Sequence, residues 1–523
     1  AGATAVRALA ADAAASLGER IYLQGRLANG EAIRGERPGV GTVGAEAACV
    51  ACHRRSGLGS AEGTSRIPPI TSQYLYSRAG VQAARPTLSQ DSAADAVRDA
   101  YDDASLALAI RSGRGRGGRE LSHLMPRYAL DDVSMRGLIA YLKSLPTTAS
   151  PGVSDTTVSF ATIVTPDADP RARDGMLAVL NQFIADKNAF IRGGARPLRS
   201  AGQIDYRVTR RWQLQVWTLT GAPSTWNEQL RRHLAEQPVF AILSGIGGVD
   251  WSPVHRFCES ERLPCLFPNV DLPVDSEADF YSVYLSKGLL LEAELIAAQL
   301  RHAPDAPHPR RWVQIHSAGN GAEKAASHLQ DLQAMPEPGL ILSADSPAAL
   351  PAALAQVRPG DALVLWLNAA DLGGLGTPPA AAAVYVSGEL GGFEHAPLPA
   401  AWRKVASLTY PIDLPSQRTI RMTYPTRWMQ IRHVPLLAQK VQADTYMACG
   451  IVAEAMNEML ENFMRDYLLE RIEAMVSHRQ LTALYPRLGL GPGQRFASKG
   501  GYIVRFDQPD GTSITPLGDW LVP

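Results

Sequence analysis

Cys49-Val50-Ala51-Cys52-His53 constrains this chain more than any other stretch of it. Two thiols three positions apart, followed at once by an imidazole, form the C-x-x-C-H attachment sequence of a c-type haem. The chemistry sets the spacing. The thiols add to the two vinyl groups of the porphyrin, and the next residue then lies under the iron and offers it a ring nitrogen. Zinc is a competing use of a C-x-x-C pair, but it needs a second pair of ligands, which this region lacks. A thioredoxin-like redox pair belongs at a strand–helix junction in a βαβ unit, and residues 1–145 show none. The expectation is one covalent haem c on Cys49 and Cys52, with His53 as an axial iron ligand.

The opposite axial position points to Met125, in Leu121-Ser122-His123-Leu124-Met125-Pro126-Arg127-Tyr128. A methionine in a polar loop is out of place as core filler, its usual role, and Pro126 stiffens the loop. A thioether opposite a histidine raises the reduction potential and fills the site, which suits electron transfer and opposes oxygen chemistry. His123 is the rival ligand and Met135 a remote one. Arg127 and Tyr128 are expected pocket residues. The run Arg111–Arg119 reads as a solvated loop near the haem or as a face for an acidic redox partner.

A helix is expected around Ser16–Gln24, with Leu17, Ile21 and Tyr22 on one face. A second is expected from Asp131, its N-cap, to Ser144, with Val133, Leu138, Tyr141, Leu142 and Leu145 as its apolar stripe. These helices, Gly25, the motif Cys49–His53, Ser56-Gly57-Leu58-Gly59, Pro68-Pro69 and Met125-Pro126 together make residues 15–145 resemble a class I c-type cytochrome. The resemblance implies a small all-α domain over residues 1–145 that carries single electrons. It also implies a proline carbonyl that holds the imidazole N–H of His53, a role open to Pro68, Pro69 or another carbonyl nearby. The insertion Ser77–Asp99 has no obvious role.

At 523 residues the chain is too long for one ordinary domain. Residues 146–156 read as a linker. Beyond them apolar strands alternate with amphipathic helices, such as strands Val158–Val164, Trp312–His316 and Ala362–Leu367 with helices Arg171–Asp186 and Glu323–Leu332. One long helix is expected from Val434 to about Val476. Such alternation indicates parallel sheets covered on both faces, and residues 157–523 are enough for two α/β lobes. Asp174-Gly175, Arg192-Gly193-Gly194-Ala195-Arg196-Pro197, the strand and glycine loop Phe240–Gly248, and Leu263-Pro264-Cys265-Leu266-Phe267-Pro268 make this region resemble a type I periplasmic binding protein of the branched-chain amino-acid receptor group. The resemblance implies a ligand cleft between the lobes, at the carboxyl ends of the strands. The expected cleft residues are Asp167, Ser244, Gly245, Gly247, Gly248, Trp251, Asn269, Asp271, Asn320, Asp371 and Glu389. Gly245, Gly247 and Gly248 read either as a tight turn feeding a helix or as a loop whose backbone N–H groups approach a ligand anion. The loop acids, Asp169 among them, would cap helices or receive a cationic group. The family's amino-acid sites use Ser and Thr hydroxyls where this chain has Gly247, Gly248, Asn269 and Asp271, a departure from an amino-acid ligand.

Cys258 and Cys265, at a helix end and the following strand, are expected to pair as a disulfide in an oxidising compartment, with two buried free thiols as the alternative. Cys449 reads as a buried thiol. The small residues Ala1–Ala5 look like the start left after a signal peptide is removed. With the haem motif, they point to the periplasm. Net charge is zero, so no global field draws nucleic acid or an anionic membrane. No apolar run approaches the ~18 residues of a membrane span. There is no G-x-S-x-G, P-loop or H-E-x-x-H motif. The expected function is single-electron transfer by a mono-haem cytochrome joined to a solute- or partner-binding module, with a periplasmic redox protein or dehydrogenase as partner. The alternative is an ABC-type solute receptor or sensor with a haem redox switch.

Overall fold

The computed structural model describes residues 15–62, 65–77, 99–192, 210–248, 250–276, 278–302, 308–346, 348–479 and 482–523. The opening residues Ala1–Ala5, most of the insertion Ser77–Asp99 and the stretch Gly193–Pro197 lie outside them. The chain forms two compact units. The first runs to Ser150 and takes in Met456–Arg471; the second begins at Pro151 and includes Thr209–Ala455 and Ile472–Pro523. The first unit thus contains a segment more than three hundred residues downstream of its main body.

In the first unit, a helix over residues 15–24 packs against the closing helix Asp132–Ser144. They touch at Gly18, where a Cβ would lie 2.1 Å from the carbonyl oxygen of Gly137, so only glycine permits this approach. Asp131 caps the closing helix by accepting the Ser134 N–H at 2.7 Å. Leu17, Ile21, Tyr22, Leu138, Ile139 and Leu142 form the core between them.

The expectation of an all-α domain is corrected. The strands β1 (Arg34–Arg37), β2 (Val40–Val43), β3 (Ser60–Glu62), β4 (Ser65–Ile67) and β5 (Arg127–Tyr128) make a three-stranded sheet in the order β2-β1-β5 and a β3-β4 hairpin. Arg37 pairs with Val40 across Pro38-Gly39, and Gly39 has φ +79°. Proline followed by a left-handed glycine fixes that reversal, a turn signal that the helical reading passed over.

The second unit has two sheets. The first contains β6 (Thr157–Val164), β7 (Arg211–Thr218), β8 (Ala241–Leu243), β9 (Cys265–Leu266) and β10 (Ser282–Val283), all parallel, in the order β10-β9-β8-β6-β7. The second contains β11 (Trp312–Ser317), β12 (Leu340–Ala344), β13 (Ala362–Trp366), β14 (Ala383–Val386), β15 (Ala406–Tyr410), β16 (Tyr502–Phe506) and β17 (Ile514–Pro516), in the order β12-β11-β13-β14-β15-β16-β17. Its first five strands are parallel and its last two antiparallel. Every residue of β13 and β15 is buried, as parallel strands covered on both faces require.

Three details depart from expectation. The helix expected from Val434 to Val476 is two helices, Gln439–Met459 and Arg465–Val476, and Leu460 takes the left-handed φ of +54° at the break. The helix Pro415–Ile431 and the strands β10, β15 and β17 were not expected. Cys258 and Cys265 are both buried and are not joined in the expected disulfide. Both belong to the apolar core formed by Trp217, Leu230, Val254 and Leu263. Among the described residues, no helix is long and apolar enough to cross a membrane.

Candidate functional site

The haem motif forms one helical turn, Val50–His53, opened by Cys49, whose carbonyl accepts the N–H of His53 at 2.8 Å. Arg54 ends the turn at φ +63°. The chain then folds back, with the Gly59 N–H donating to the His53 carbonyl at 3.1 Å. Gly59 sits at φ +78°, and a Cβ there would lie 2.0 Å from the Ile67 carbonyl oxygen. Glycine therefore lets the loop close onto the strand that leads to Pro68.

That closure positions the imidazole. His53 is 6% exposed, and its Nδ1 lies 3.1 Å from the carbonyl oxygen of Pro68. Of the two prolines open to this role, Pro68 fills it. Burial pushes the His53 pKa down to about 4, against the opposing pull of the Pro68 carbonyl. The ring is therefore neutral near pH 7. A proton on Nδ1 donated to Pro68 leaves the Nε2 lone pair free, the state that an iron ligand needs. Among the described residues, no three His, Cys, Asp or Glu side chains gather as metal ligands.

Met125 is half-buried in its loop, His123 is exposed, and Met135 is a core residue of the closing helix. Arg127 holds the Met125 loop by donating to the carbonyls of Met125 and of Leu121, the latter at 3.1 Å. Tyr128 is buried, and its hydroxyl donates to the Ala47 carbonyl at 2.7 Å, just before the haem motif. Arg111 is not in a solvated loop. It lies at the end of the helix Asp103–Ser112 and donates to the Leu130 carbonyl at 3.0 Å and to Asp132 at 2.7 Å. Sequence reasoning missed Glu470, whose carboxylate accepts two hydrogen bonds from Ser56. A lone buried acid among Tyr467, Leu468, Leu469 and Ile472 was the available signal.

In the second unit, the expected cleft loops divide by what they touch. Ser244 follows β8 with φ +57°, fully buried, an unusual backbone state for a non-glycine residue and one found at constrained sites. The Asn269 amide donates to the Ser244 hydroxyl at 3.0 Å and to the Thr445 hydroxyl at 3.3 Å. Glu389, after β14, pairs with Lys440 at 2.8 Å, and Lys440 also reaches Asp444 at 3.3 Å. The Tyr485 hydroxyl donates to Asp444 at 3.3 Å. Glu389 Oε2 and Asp444 Oδ1 are buried without a hydrogen-bond partner. Beneath them, fully buried Glu292 accepts from the Thr409 hydroxyl at 2.6 Å and the Glu389 N–H at 2.9 Å. Burial, reinforced by Glu389, raises its pKa to about 8. Lys440, Asp444 and Thr445 were missed. Their signal was a cluster of polar residues at the start of an otherwise apolar helix.

Other expected cleft residues are committed elsewhere. The Gly248 N–H donates to Asp167 at 3.2 Å and the Gly247 N–H to the Asn269 carbonyl at 3.3 Å, so these donors are already used. Trp251 is buried in the core beneath Gly245 and Gly247. Asn320 donates to the Trp366 carbonyl at 2.9 Å, and Asp371 accepts from the Ser317 hydroxyl. Asp169 caps the helix Pro170–Arg192 by accepting the Ala172 N–H at 2.8 Å. Asp271 is the exception: its backbone carbonyl accepts the Leu289 N–H at 2.9 Å, but its carboxyl faces Glu389 and Lys440, and burial, reinforced by Glu389, raises its pKa to about 6.

Residues 41–146 match the family model of cytochrome c. That family implies covalent haem c and electron transfer, and the buried, carbonyl-held His53 beside two free thiols fits such a group. No curated protein matches the sequence. Among solved structures, the chain is similar to the fatty acid ABC transporter substrate-binding protein from Thermomonospora curvata, with a TM-score of 0.49 and 14% identity over 72% of this chain and 95% of that one. It is also similar to the branched-chain amino acid transporter substrate-binding protein from Streptococcus pneumoniae, with a TM-score of 0.48 and 10% identity over 69% of this chain and 99% of that one. A possible leucine/isoleucine/valine-binding protein from Rhodopirellula baltica has a TM-score of 0.48 and 14% identity over 70% and 97%.

Proposed function

We propose that the chain is a periplasmic mono-haem c-type cytochrome that passes single electrons, joined to an α/β module that binds a small solute or a partner. The observation that carries this reading is the His53 imidazole, buried and held by the Pro68 carbonyl one residue after the second thiol. When bound, the haem would supply one-electron Fe(III)/Fe(II) exchange. Cys49 and Cys52 would hold it covalently, His53 and Met125 would ligate its iron, and Arg127 would keep the Met125 loop closed. A filled axial position favours electron exchange over oxygen chemistry. The donor would be a periplasmic redox protein or dehydrogenase.

The test is expression in a host that attaches c-type haem. One covalent haem per chain by mass and a c-type pyridine haemochrome spectrum are expected, both lost in a Cys49→Ala, Cys52→Ala double variant. Haem that is extracted by acidic solvent would overturn the reading.

A solute receptor or sensor with a haem redox switch is the second reading. It is favoured by the group Glu389, Lys440 and Asp444, in which buried carboxylate oxygens remain without partners. Two carboxylates against one ammonium favour a cationic group over an anion. Native mass spectrometry of the purified protein would show a retained small molecule if this reading holds, and none would count against it.

A further inference from the structure

The loop after His53 is held from two sides. The Tyr22 hydroxyl donates to the Arg54 carbonyl at 2.6 Å. On the other side, Glu470 Oε1 accepts the Ser56 N–H at 2.7 Å and Oε2 accepts the Ser56 hydroxyl at 2.6 Å. Ser56 is 1% exposed and Glu470 2% exposed. The Ser56 hydroxyl oxygen also accepts the Leu58 N–H at 3.1 Å, so this one contact organises the turn that follows the expected iron ligand. Glu470 belongs to the downstream segment of the first unit, outside the part that matches cytochrome c.

Such a carboxyl is balanced between its two protonation states. Burial raises its pKa to about 8, with Asp466 adding to the effect, whereas the two Ser56 hydrogen bonds and the Arg54 charge oppose it. The facing ionisable groups are Arg54 on the haem loop, Tyr22 on the N-terminal helix, and Asp466 and Tyr467 on its own helix. Tyr22 and Tyr467 are themselves pushed upward by burial and remain neutral near pH 7.

We propose that Glu470 is a redox-linked proton site, which holds the His53 loop through Ser56 and exchanges one proton with solvent as the haem exchanges one electron. When an electron leaves to an external one-electron acceptor, the added positive charge favours the carboxylate, and Glu470 releases its proton to water. When a one-electron donor returns the electron, Glu470 takes a proton back. The inference rests on the haem reading above, and a haemochrome spectrum of each sample separates failure of loading from failure of the link.

The experiment is a redox titration of the full-length haem-loaded protein at pH 6 to 9, with Glu470→Gln and Ser56→Ala beside it. The wild-type potential falls as pH rises, and full coupling of one proton to one electron gives ~59 mV for each tenfold change in proton concentration. Glu470→Gln is flat over this range and stays near the wild-type value at low pH, because its side chain is neutral throughout. Ser56→Ala removes a donor that favours the carboxylate, so its sloping region moves to higher pH. Infrared difference spectra show a protonated carboxyl band lost on oxidation in the wild type and absent from Glu470→Gln. A flat wild-type potential, or a slope unchanged in Glu470→Gln, overturns the proposal. If Glu470→Gln fails to load haem, an unshifted slope in Ser56→Ala overturns it instead.

Discussion

The Arg127 guanidinium donates to the carbonyl of Met125, two residues upstream, and spans the loop to the Leu121 carbonyl at 3.1 Å. One side chain thus closes the loop that presents the thioether. Met125→Ala should abolish the thioether-to-iron charge-transfer absorption of the oxidised protein and lower its potential. His123→Ala, at an exposed position, should leave both unchanged. Arg127→Leu removes charge-assisted hydrogen bonds worth about 1.5–3 kcal/mol each at most. It should keep the absorption at low temperature and lose it on mild heating. Absorption spectra of the three variants against temperature decide the assignment, and a band that disappears only in His123→Ala would reassign the ligand.

Gly59→Ala tests the turn that brings the haem loop to Pro68. A left-handed backbone costs a non-glycine residue ~1–2 kcal/mol, and the added Cβ would meet the Ile67 carbonyl oxygen at 2.0 Å. The loop has to open, which pulls the Pro68 carbonyl from His53. Haem yield per chain should fall, and thermal unfolding of the loaded fraction should begin earlier. Wild-type yield and stability in this variant would show that the turn can relax without cost.

The haem motif was legible because covalent chemistry fixes the residue spacing, and the Asp131 cap followed from a local rule, whereas the carbonyl that meets His53 came only from the family resemblance, which left Pro68, Pro69 or another carbonyl open. The Pro38-Gly39 hairpin was also local, but short strands carry too little apolar pattern to stand out. Glu470, Lys440 and Asp444 were hidden for a different reason. Each is a polar residue in an apolar helix, and its meaning depends on a partner far along the chain: Ser56 for Glu470, Glu389 for Lys440, and Tyr485 for Asp444. Sequence periodicity reports which face of a helix is buried and carries no information about what it is buried against. The glycine loop shows the converse. Gly247 and Gly248 read either as a tight turn or as donors open to an anion, and only tertiary structure shows that Asn269 and Asp167 occupy their N–H groups.

The cysteines give a direct count. The sequence has five, and two are expected to be bonded to haem. With Cys258, Cys265 and Cys449 buried and outside any disulfide, an aromatic disulfide reagent should find almost no reactive thiol in the native protein. Burial also pushes the Cys449 thiol well above its ordinary range, further lowering its reactivity. In denaturant without reductant, three thiols per chain should react. A count of one would mean that Cys258 and Cys265 are joined after all.

Glu292 makes the second unit sensitive to pH. Its ordinary pKa is near 4.5, and burial, with Glu389, raises it to about 8 in the fold. The folded chain therefore holds a proton that the unfolded chain releases. The sign follows: the stabilisation is complete below pH ~4.5 and is lost as pH rises through about 8, at ~1.4 kcal/mol per pH unit while the two states differ by one proton. The Ser387 hydroxyl and the Glu389 N–H favour the ionised acid, whereas the Glu389 carboxylate opposes it, so ionisation of Glu292 sets two like charges against each other at the loop after β14 that carries Glu389 to Lys440. Glu292→Gln imitates the protonated acid and should remove this dependence, leaving the variant more stable than wild type at pH 9 and similar at pH 5. All nine tryptophans lie beyond residue 157, so tryptophan fluorescence during denaturant unfolding follows the second unit in the full-length protein. A wild-type midpoint that does not move between pH 5 and 9 would mean that Glu292 is ionised in the fold, and the loop would then have to be held by charge rather than by a shared proton.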